Sequence, residues 1–442
     1  MAATAPSASG KWLFGPVPDL LFGCGLLYVL LCGAALVAGP SLRAAQPALL
    51  FPALVLLLSM PHYGATLVRV YDQRESRRAY VFFSVWATLA VALAFVAGTR
   101  STLVASAMLT IYLTWSPWHY TGQNYGLAVM FLGRAGVAPP PATKRLLYAS
   151  FLLSYALTFL VMHSADGIPN YGTDGGGPLV KFSFVPLGIG ARWLGVLVPV
   201  LASAYVVTLG AAFVRLARGS RAADLLPAAA LALTQALWFT LPFGVRFLAL
   251  RSGAEPIDWT FRGYYLYWIV LGHAVQYLWV TAYYARKSGE WSGALPYAGK
   301  IVAAGVALWT LPIVAFAPGR LGDLGYHAGL GLLLASAINI HHFILDGAIW
   351  KLRSGRIASV LIRSQPESEA SQVLAGRPWA RAVSWTAAAA GLFVALQVFV
   401  EEAYLYPRAM RAKDFEAAHA ALDRLEWYGR GNFVLRKQTP RE

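Results

Sequence analysis

Asn339-Ile340-His341-His342-Phe343-Ile344-Leu345-Asp346 sets an amide, two adjacent histidines and a carboxylate inside an apolar run that starts near Leu330 and ends at Trp350-Lys351. A run of roughly 20 residues is what a bilayer-spanning helix needs. Ionisable groups are costly to hold in hydrocarbon, so those that occur there face the protein interior and act there. On a helix, His342 and Asp346 are four apart and share a face, and Asn339, three before His342, lies on the same side. The stretch predicts a membrane helix with one chemically loaded face. What the chain does then turns on which groups the other helices bring to the same depth.

Composition supports that reading for the whole chain. Of 442 residues, 58% are hydrophobic and only 13% charged, with a mean hydropathy of +0.54; a soluble protein of this size carries far more charge on its surface. The formal charge of +16 would point to nucleic acid in a soluble protein. Here the basic residues fall in short loops between apolar runs, where they set topology, and no nucleic-acid partner is expected. Cys24 and Cys32 share one apolar segment without a CxxC spacing, giving neither a disulfide framework nor a zinc site. Residues 1–14 are too polar for a secretory signal, so the first apolar run is expected to be retained as a helix.

The expected fold is all-α, a polytopic transmembrane bundle of about eleven helices, read near 16–38, 48–69, 79–98, 102–132, 145–163, 192–215, 223–245, 261–285, 296–317, 326–350 and 380–404. A short N-terminal segment, 1–15, precedes this domain of 16–404, and a tail of 405–442 follows it. Pro117 inside the long fourth segment predicts a kink. The loop from Asp166 to Gly172 has turn composition and lacks the Gly-Lys-Ser/Thr ending of a phosphate loop.

Basic residues cluster in alternate loops: Arg74, Arg77 and Arg78; Arg134, Lys144 and Arg145; Arg218 and Arg221; Arg286 and Lys287; then Lys351, Arg353, Arg356 and Arg363. The opposite loops hold Arg43, Arg100, Lys181 and Arg320 singly, with Arg246, Arg251 and Arg262 as the exception. The positive-inside rule then places the N-terminus in the cytoplasm, and the Ala-, Leu- and Arg-rich composition suits a bacterial inner membrane. In the tail, Phe415 to Leu425 has apolar residues at helical spacing, which predicts an amphipathic helix that packs or docks, either at the membrane surface or on a partner.

Five of the eight histidines fall in even-numbered segments: His62 in Met60-Pro61-His62-Tyr63-Gly64, His119 in Trp118-His119-Tyr120, His273 in Gly272-His273-Ala274, and the pair His341-His342. His163, His327 and His419 lie at helix ends or in the tail and read as incidental. The four helices run in one direction, and His62, His119, His273 and His342 precede the basic residues Arg69, Arg134, Arg286 and Lys351 by 7, 15, 13 and 9 residues. At about 1.5 Å rise per residue, the rings fall in one band roughly 10–22 Å above those helix ends. Asp19 enters the first helix from the same side and reads as a helix-start residue.

Polar partners recur at helical spacing: Gln123 four after His119, Gln276 three after His273, Asp346 four after His342. A ligating imidazole donates its other N–H to such a group, which fixes its tautomer. Aromatics such as Trp115, Trp118, Tyr267, Trp268, Tyr277 and Trp279 surround the band; interfacial belts have the same composition. A lone histidine in a membrane helix more often bonds a neighbouring helix than a metal. Five at one depth favour a shared site, and imidazole donors suit iron, copper or zinc rather than magnesium or calcium. The predicted ligands are His62, His119, His273, His341 and His342, with Asp346 as a further ligand or orienting partner and Gln123 and Gln276 as orienting groups.

Histidine-rich helices of this kind resemble the membrane-bound non-haem iron oxygenases. The di-iron desaturases and hydroxylases of that class carry HxxxH and HxxHH boxes, and this chain has only the pair His341-His342. Met60-Pro61-His62-Tyr63-Gly64 is similar to the Pro-His-Gly segment of the bacterial carotene-cleaving Brp/Blh family, without the Asp-His that follows it there. The resemblance covers a few residues per helix. It implies a polytopic oxygenase with one iron on dispersed histidines.

Two kinds of function follow. One is a membrane-embedded oxidoreductase with non-haem iron, acting on a hydrophobic small molecule such as an isoprenoid, fatty acyl or sterol-like substrate through a vacant coordination position. The other is a transporter or proton or cation carrier that uses the same histidines with Asp346 and Asp19, or, as a variant, a bis-histidine haem electron carrier.

Overall fold

Backbone amides and carbonyls find no water in hydrocarbon, so a chain this apolar must bond them internally, and it does so as helix. The computed structural model describes residues 10–38, 50–71, 80–165, 180–241, 269–288, 291, 293–350, 355–363 and 378–440. Among these residues no sheet forms; two isolated bridges, Ser164 with Ile189 and Pro318 with Gly322, are the only extended pairings. The loop of Asp166 to Gly172, Tyr267, Trp268, and the basic residues Arg43, Arg74, Arg77, Arg78, Arg246, Arg251, Arg262, Lys351 and Arg353 lie outside the described residues.

The helices are α1 (Leu26–Ala38), α2 (Met60–Tyr71), α3 (Thr88–Gly98), α4 (Thr102–Arg134), α5 (Pro141–Met162), α6 (Ala191–Ala217), α7 (Ala222–Gln235), α8 (Leu271–Ser288), α9 (Ala294–Ala315), α10 (Gly331–Ile349), α11 (Gly355–Leu361), α12 (Pro378–Val400), α13 (Tyr406–Ala412), α14 (Phe415–Trp427) and α15 (Phe433–Gln438). Every one of the eleven predicted segments carries helix. Among the described residues, seven helical stretches are long and apolar enough to cross a bilayer: Pro52–Tyr71, Pro141–Met162, Ala191–Ala217, Ala222–Thr240, Ala294–Ala315, Tyr326–Ile349 and Ala382–Ala412. The chain is an all-α, polytopic membrane protein. Helix α4 runs continuously through Pro117.

Helix α10 is the axis. Its residues from Leu333 to Ile349 are almost all buried, and it packs against α2, α3, α4 and α9. Helix α6 is the opposite case: Trp193, Val200, Val206 and Val207 are more than half exposed, as a lipid-facing wall requires. A wider π turn, Val55–Ser59, leads directly into α2; such turns re-aim the residues that follow, here Met60 to Tyr63.

Two glycines set the depth of α2. A Cβ on Gly64 would strike the Ile301 carbonyl of α9, and one on Gly305 would strike the Met60 carbonyl. The two backbones cross in contact, which only small residues allow. That crossing presses the opposite face of α2, with His62 and Thr66, toward α10.

The bundle has two differently closed ends. At one, the buried Arg134 guanidinium donates to the carbonyls of Lys11 (3.1 Å), Trp12 (2.7 Å) and Leu361 (2.9 Å), tying the N-terminal segment and α11 to the end of α4. Asp19 accepts from the amides of Leu13 (2.6 Å) and Phe14 (3.1 Å) and from Trp279 Nε1 (3.2 Å); it is a helix-start residue and lies away from the histidines. At the other end, Glu401 and Glu402 hold Arg424 and Arg430 in two-pronged ion pairs. The apolar face of α14, Ala418, Ala421, Leu422 and Leu425, is buried against the chain itself.

Overpacking a tight contact costs about 1–3 kcal/mol or more. Gly64→Val should therefore lower the thermal unfolding midpoint of the detergent-solubilised protein by several degrees. Gly210→Ala on α6, where a Cβ meets nothing within 4 Å, should hold or raise it, since Ala is favoured over Gly in a helix by up to about 1 kcal/mol. Equal midpoints for the two variants would show that the α2–α9 crossing is not under steric control.

Candidate metal centre

Four of the predicted histidines meet. His62 comes from α2, His119 from α4, His273 from α8 and His342 from α10, and all are buried or nearly so. Around the group, ring centroids are 4.3 Å apart for His62–His342, 5.0 Å for His342–His119, 4.9 Å for His119–His273 and 4.9 Å for His273–His62. The His273–His342 diagonal is 6.3 Å. The four rings thus form a closed quadrilateral drawn from four helices.

Their nitrogens point inward. His62 Nε2 lies 2.9 Å from His342 Nε2 and 3.2 Å from His273 Nε2. Asp346 Oδ2 lies 3.4 Å from His342 Nε2 and 3.8 Å from His119 Nε2. Two overlapping groups result, His62–His273–His342 and His119–His342–Asp346, each with ligand-type atoms within 4.8 Å of one another, and His342 belongs to both.

Hydrogen bonds alone account poorly for this geometry. If His62 Nε2 carries the proton, that proton is shared between two acceptors; if it does not, its lone pair faces a His342 Nε2 that carries a lone pair too when Nδ1 donates to Thr66. His119 Nε2 is buried and has no hydrogen-bond partner at all, and such an atom costs about 1–3 kcal/mol. An ion would answer the atoms of either group, His62–His273–His342 or His119–His342–Asp346. With metal–nitrogen bonds of about 2.0–2.1 Å, neighbouring ligands sit about 2.9 Å apart at right angles and about 3.4 Å apart in a tetrahedron. The observed 2.9 and 3.2 Å fall in that range. The donor set of imidazoles with one carboxylate fits a transition metal.

Outward-facing bonds hold the cluster. His342 Nδ1 is 3.0 Å from Thr66 Oγ1. Thr66 in turn donates to Asp346 Oδ1 (3.2 Å), and Tyr277 Oη donates to the same oxygen at 2.7 Å. With the Thr66 hydroxyl proton on Asp346, His342 Nδ1 is the donor to Thr66, which leaves the His342 Nε2 lone pair aimed at the centre. His62 also bonds the backbone of Ser59, in the π turn. Thr66 and Tyr63 are residues the sequence reading did not single out. Thr66 had a signal, since it sits four after His62 as Asp346 sits four after His342.

The remaining predicted residues have other partners. His341 lies in neither group; its Nε2 is 2.8 Å from Thr88 Oγ1 and 3.4 Å from Tyr71 Oη. Gln123 donates to Gln276 Oε1 at 3.0 Å and to the His273 carbonyl at 3.4 Å, so the amides engage each other and a backbone oxygen. Asn339 accepts from Tyr63 Oη at 2.8 Å. His163, read as incidental, bonds Thr114 and accepts from the Leu187 amide, remote from the cluster.

A cavity of about 320 Å³ opens on the His119–Asp346 side, walled by Trp115, Trp118, Phe343 and Trp350. Its space comes from three glycines, Gly122 and Gly126 on α4 and Gly347 on α10, at which a Cβ would meet nothing within 4 Å. The volume is in the range of small-molecule sites, about 300–1,000 Å³. No family model, curated protein or solved structure matches the chain.

Leaving a buried polar group without its partner costs about 1–3 kcal/mol. Thr66→Val, which removes one hydroxyl between His342 and Asp346, should lower detergent-phase stability by about that amount, and Thr66→Ser should restore it. Thr208→Val on α6, whose hydroxyl bonds its own Ala204 carbonyl, should change it little. A silent Thr66→Val would remove Thr66 from the network that orients His342.

Proposed function

We propose that this protein is a membrane-embedded, metal-dependent oxidoreductase, with non-haem iron as the metal and a hydrophobic lipid or isoprenoid as substrate. His62, His119, His273 and His342 would hold the ion, and Asp346 would complete the set or orient it. The observation that carries the reading is the convergence of imidazole nitrogens at the spacing of neighbouring ligands, directly beside an apolar cavity. Bound there, the ion would supply Lewis acidity and one-electron chemistry.

The chain's own residues have the following parts. Trp115, Trp118 and Phe343 line the cavity and exclude water, so an apolar chain is favoured beside His119. Phe343 stacks on the His119 ring at 4.6 Å between centroids and fixes its plane. Thr66 and Tyr277 hold the Asp346 carboxyl through one oxygen, which leaves the other turned toward His342 and His119. Gln123 and Gln276, on the cavity side of α4 and on α8, brace those helices through their mutual bond.

The spacing supports a bare ion over a haem. Two axial imidazoles on one haem iron stand on opposite sides, with nitrogens about 4 Å apart. The pairs involving His62 are 2.9 and 3.2 Å apart. The orientation belongs to the same proposal: Arg134, Lys144, Arg145, Arg218, Arg221, Arg286 and Lys287 gather toward the end that Arg134 closes, which assigns that end to the cytoplasm.

Metal analysis and a visible spectrum of the purified protein test the reading. Iron near one equivalent without a haem band is expected. His342→Ala, which removes the residue common to both groups, should reduce bound iron at least tenfold, while His163→Ala should retain it. Gly126→Leu should keep the iron yet abolish turnover of a membrane lipid extract by filling the cavity. Equal iron in the His342 and His163 variants would overturn the assignment.

A further inference from the structure

A second and larger cavity, about 490 Å³, lies on the other side of the histidine cluster, along the first half of α10. It runs between the segment leading into α2, helix α9 and helix α12, and it is distinct from the cavity at His119. Its inner end is formed by Tyr63 and Asn339, bonded to each other at 2.8 Å. The Tyr63 ring sits 4.3 Å from that of His62. The shaft is apolar, with Leu56, Val394 and Val398 partly exposed on the outer face of the bundle, where acyl chains lie.

The outer end is polar, and its charges are already matched. Arg430 donates twice to Glu402, at 3.1 and 3.0 Å, and lies 3.6 Å above the Tyr326 ring. An incoming ion would therefore meet no uncompensated counter-charge in a low-dielectric setting, where an unpaired charge is strongly disfavoured. Two lining atoms among the described residues are shielded from solvent and have no hydrogen-bond partner: Nε1 of Trp309, beside Tyr63 at the inner end, which can only donate, and Nε2 of His327, which lines the cavity with Glu402 and Arg430. An imidazole nitrogen in that state takes a single neutral donor or acceptor.

We infer that this cavity binds a neutral single-chain amphiphile, a long-chain alcohol, aldehyde or ketone, with its oxygen at His327 and its chain directed along the shaft to Tyr63. The site stands on its own geometry and does not depend on the identity of the ion or on the chemistry at the cluster. The tail helices take part in it, since Tyr428 and Arg430 close the mouth.

Photolabelling of the full-length protein in detergent tests this. Three diazirine probes of equal chain length are compared, ending in hydroxyl, carboxylate and ammonium. The alcohol should label most strongly, at peptides containing Met60 or Tyr63. His327→Leu should reduce that labelling about two- to twelvefold, the worth of one hydrogen bond of about 0.5–1.5 kcal/mol, and His327→Gln should preserve much of it. Val398→Trp, which fills the shaft, should abolish labelling by all three probes. Stronger labelling by the carboxylate or ammonium probe, alcohol labelling unchanged in both His327→Leu and Val398→Trp, or labelling confined to α6 would overturn the inference. Metal measured in the same samples keeps the two proposals apart, because labelling without metal defeats only the proposed function, and metal without labelling defeats only this site.

Discussion

The structure is governed by the need to bury many polar nitrogens and oxygens where no water can reach them. Four imidazoles, the Asp346 carboxyl, two phenols and a threonine hydroxyl share a small volume at the centre of an apolar bundle. Each unanswered group there costs about as much as one or two good core contacts contribute. The surrounding elements can be read as answers to that cost. The π turn before α2 supplies a backbone partner for His62, the Gly64–Gly305 crossing brings Thr66 within reach of Asp346, and Tyr277 from α8 supplies the second donor. What those answers leave over includes His119 Nε2, which faces Asp346 across 3.8 Å, the crowded Nε2 of His62, and the outer nitrogen of His273.

Helix geometry explains why two adjacent histidines part company. Successive residues on an α-helix are about 100° apart, so His341 and His342 cannot face the same neighbour. His342 turns toward α2 and α8, while His341 turns toward α3 and settles on Thr88 and Tyr71. That contact joins α10 to α3 and to the end of α2 by polar bonds on a side where the rest of the packing is apolar. In hydrocarbon, interhelical bonds of this kind fix which helices lie together. His341 is therefore accounted for by assembly of the bundle.

Much of this was legible in the residues. Apolar runs of membrane length located the helices of the eleven predicted spans, though not short ones such as α11 and α15, because hydrocarbon leaves the backbone so little choice. Counting residues from the basic helix ends put His62, His119, His273 and His342 at one depth, since rise per residue is nearly constant. Depth is only one coordinate. Rotation about the helix axis depends on which faces are small enough to touch, and Gly64 against Gly305 decides that through a contact 241 positions apart in the chain. For the same reason Gln123 and Gln276 looked like partners of their own helix's histidines but meet each other across the α4–α8 contact. His327 looked incidental because its surroundings are made by Glu402 and Arg430, residues of the far C-terminal end.

One face of α10 also bears on how carrier chemistry compares with a bound ion. Asn339, His342 and Asp346 follow one another on that face, separated by about 4.5 and 6 Å of rise. The larger cavity ends at Asn339, the smaller one ends at Asp346, and the histidine cluster fills the interval. The cluster is thus a partition between two cavities. A solute larger than a proton or a bare ion, crossing from one to the other here, would have to part nitrogens 2.9–3.2 Å apart. A path for such a solute would need helices to separate, yet α2 is held to α9 by backbone contact and α10 is buried along almost its full length. For the proposed metal centre, which would have to hold a fixed ligand geometry while apolar molecules approach it, close contacts of this kind are the requirement.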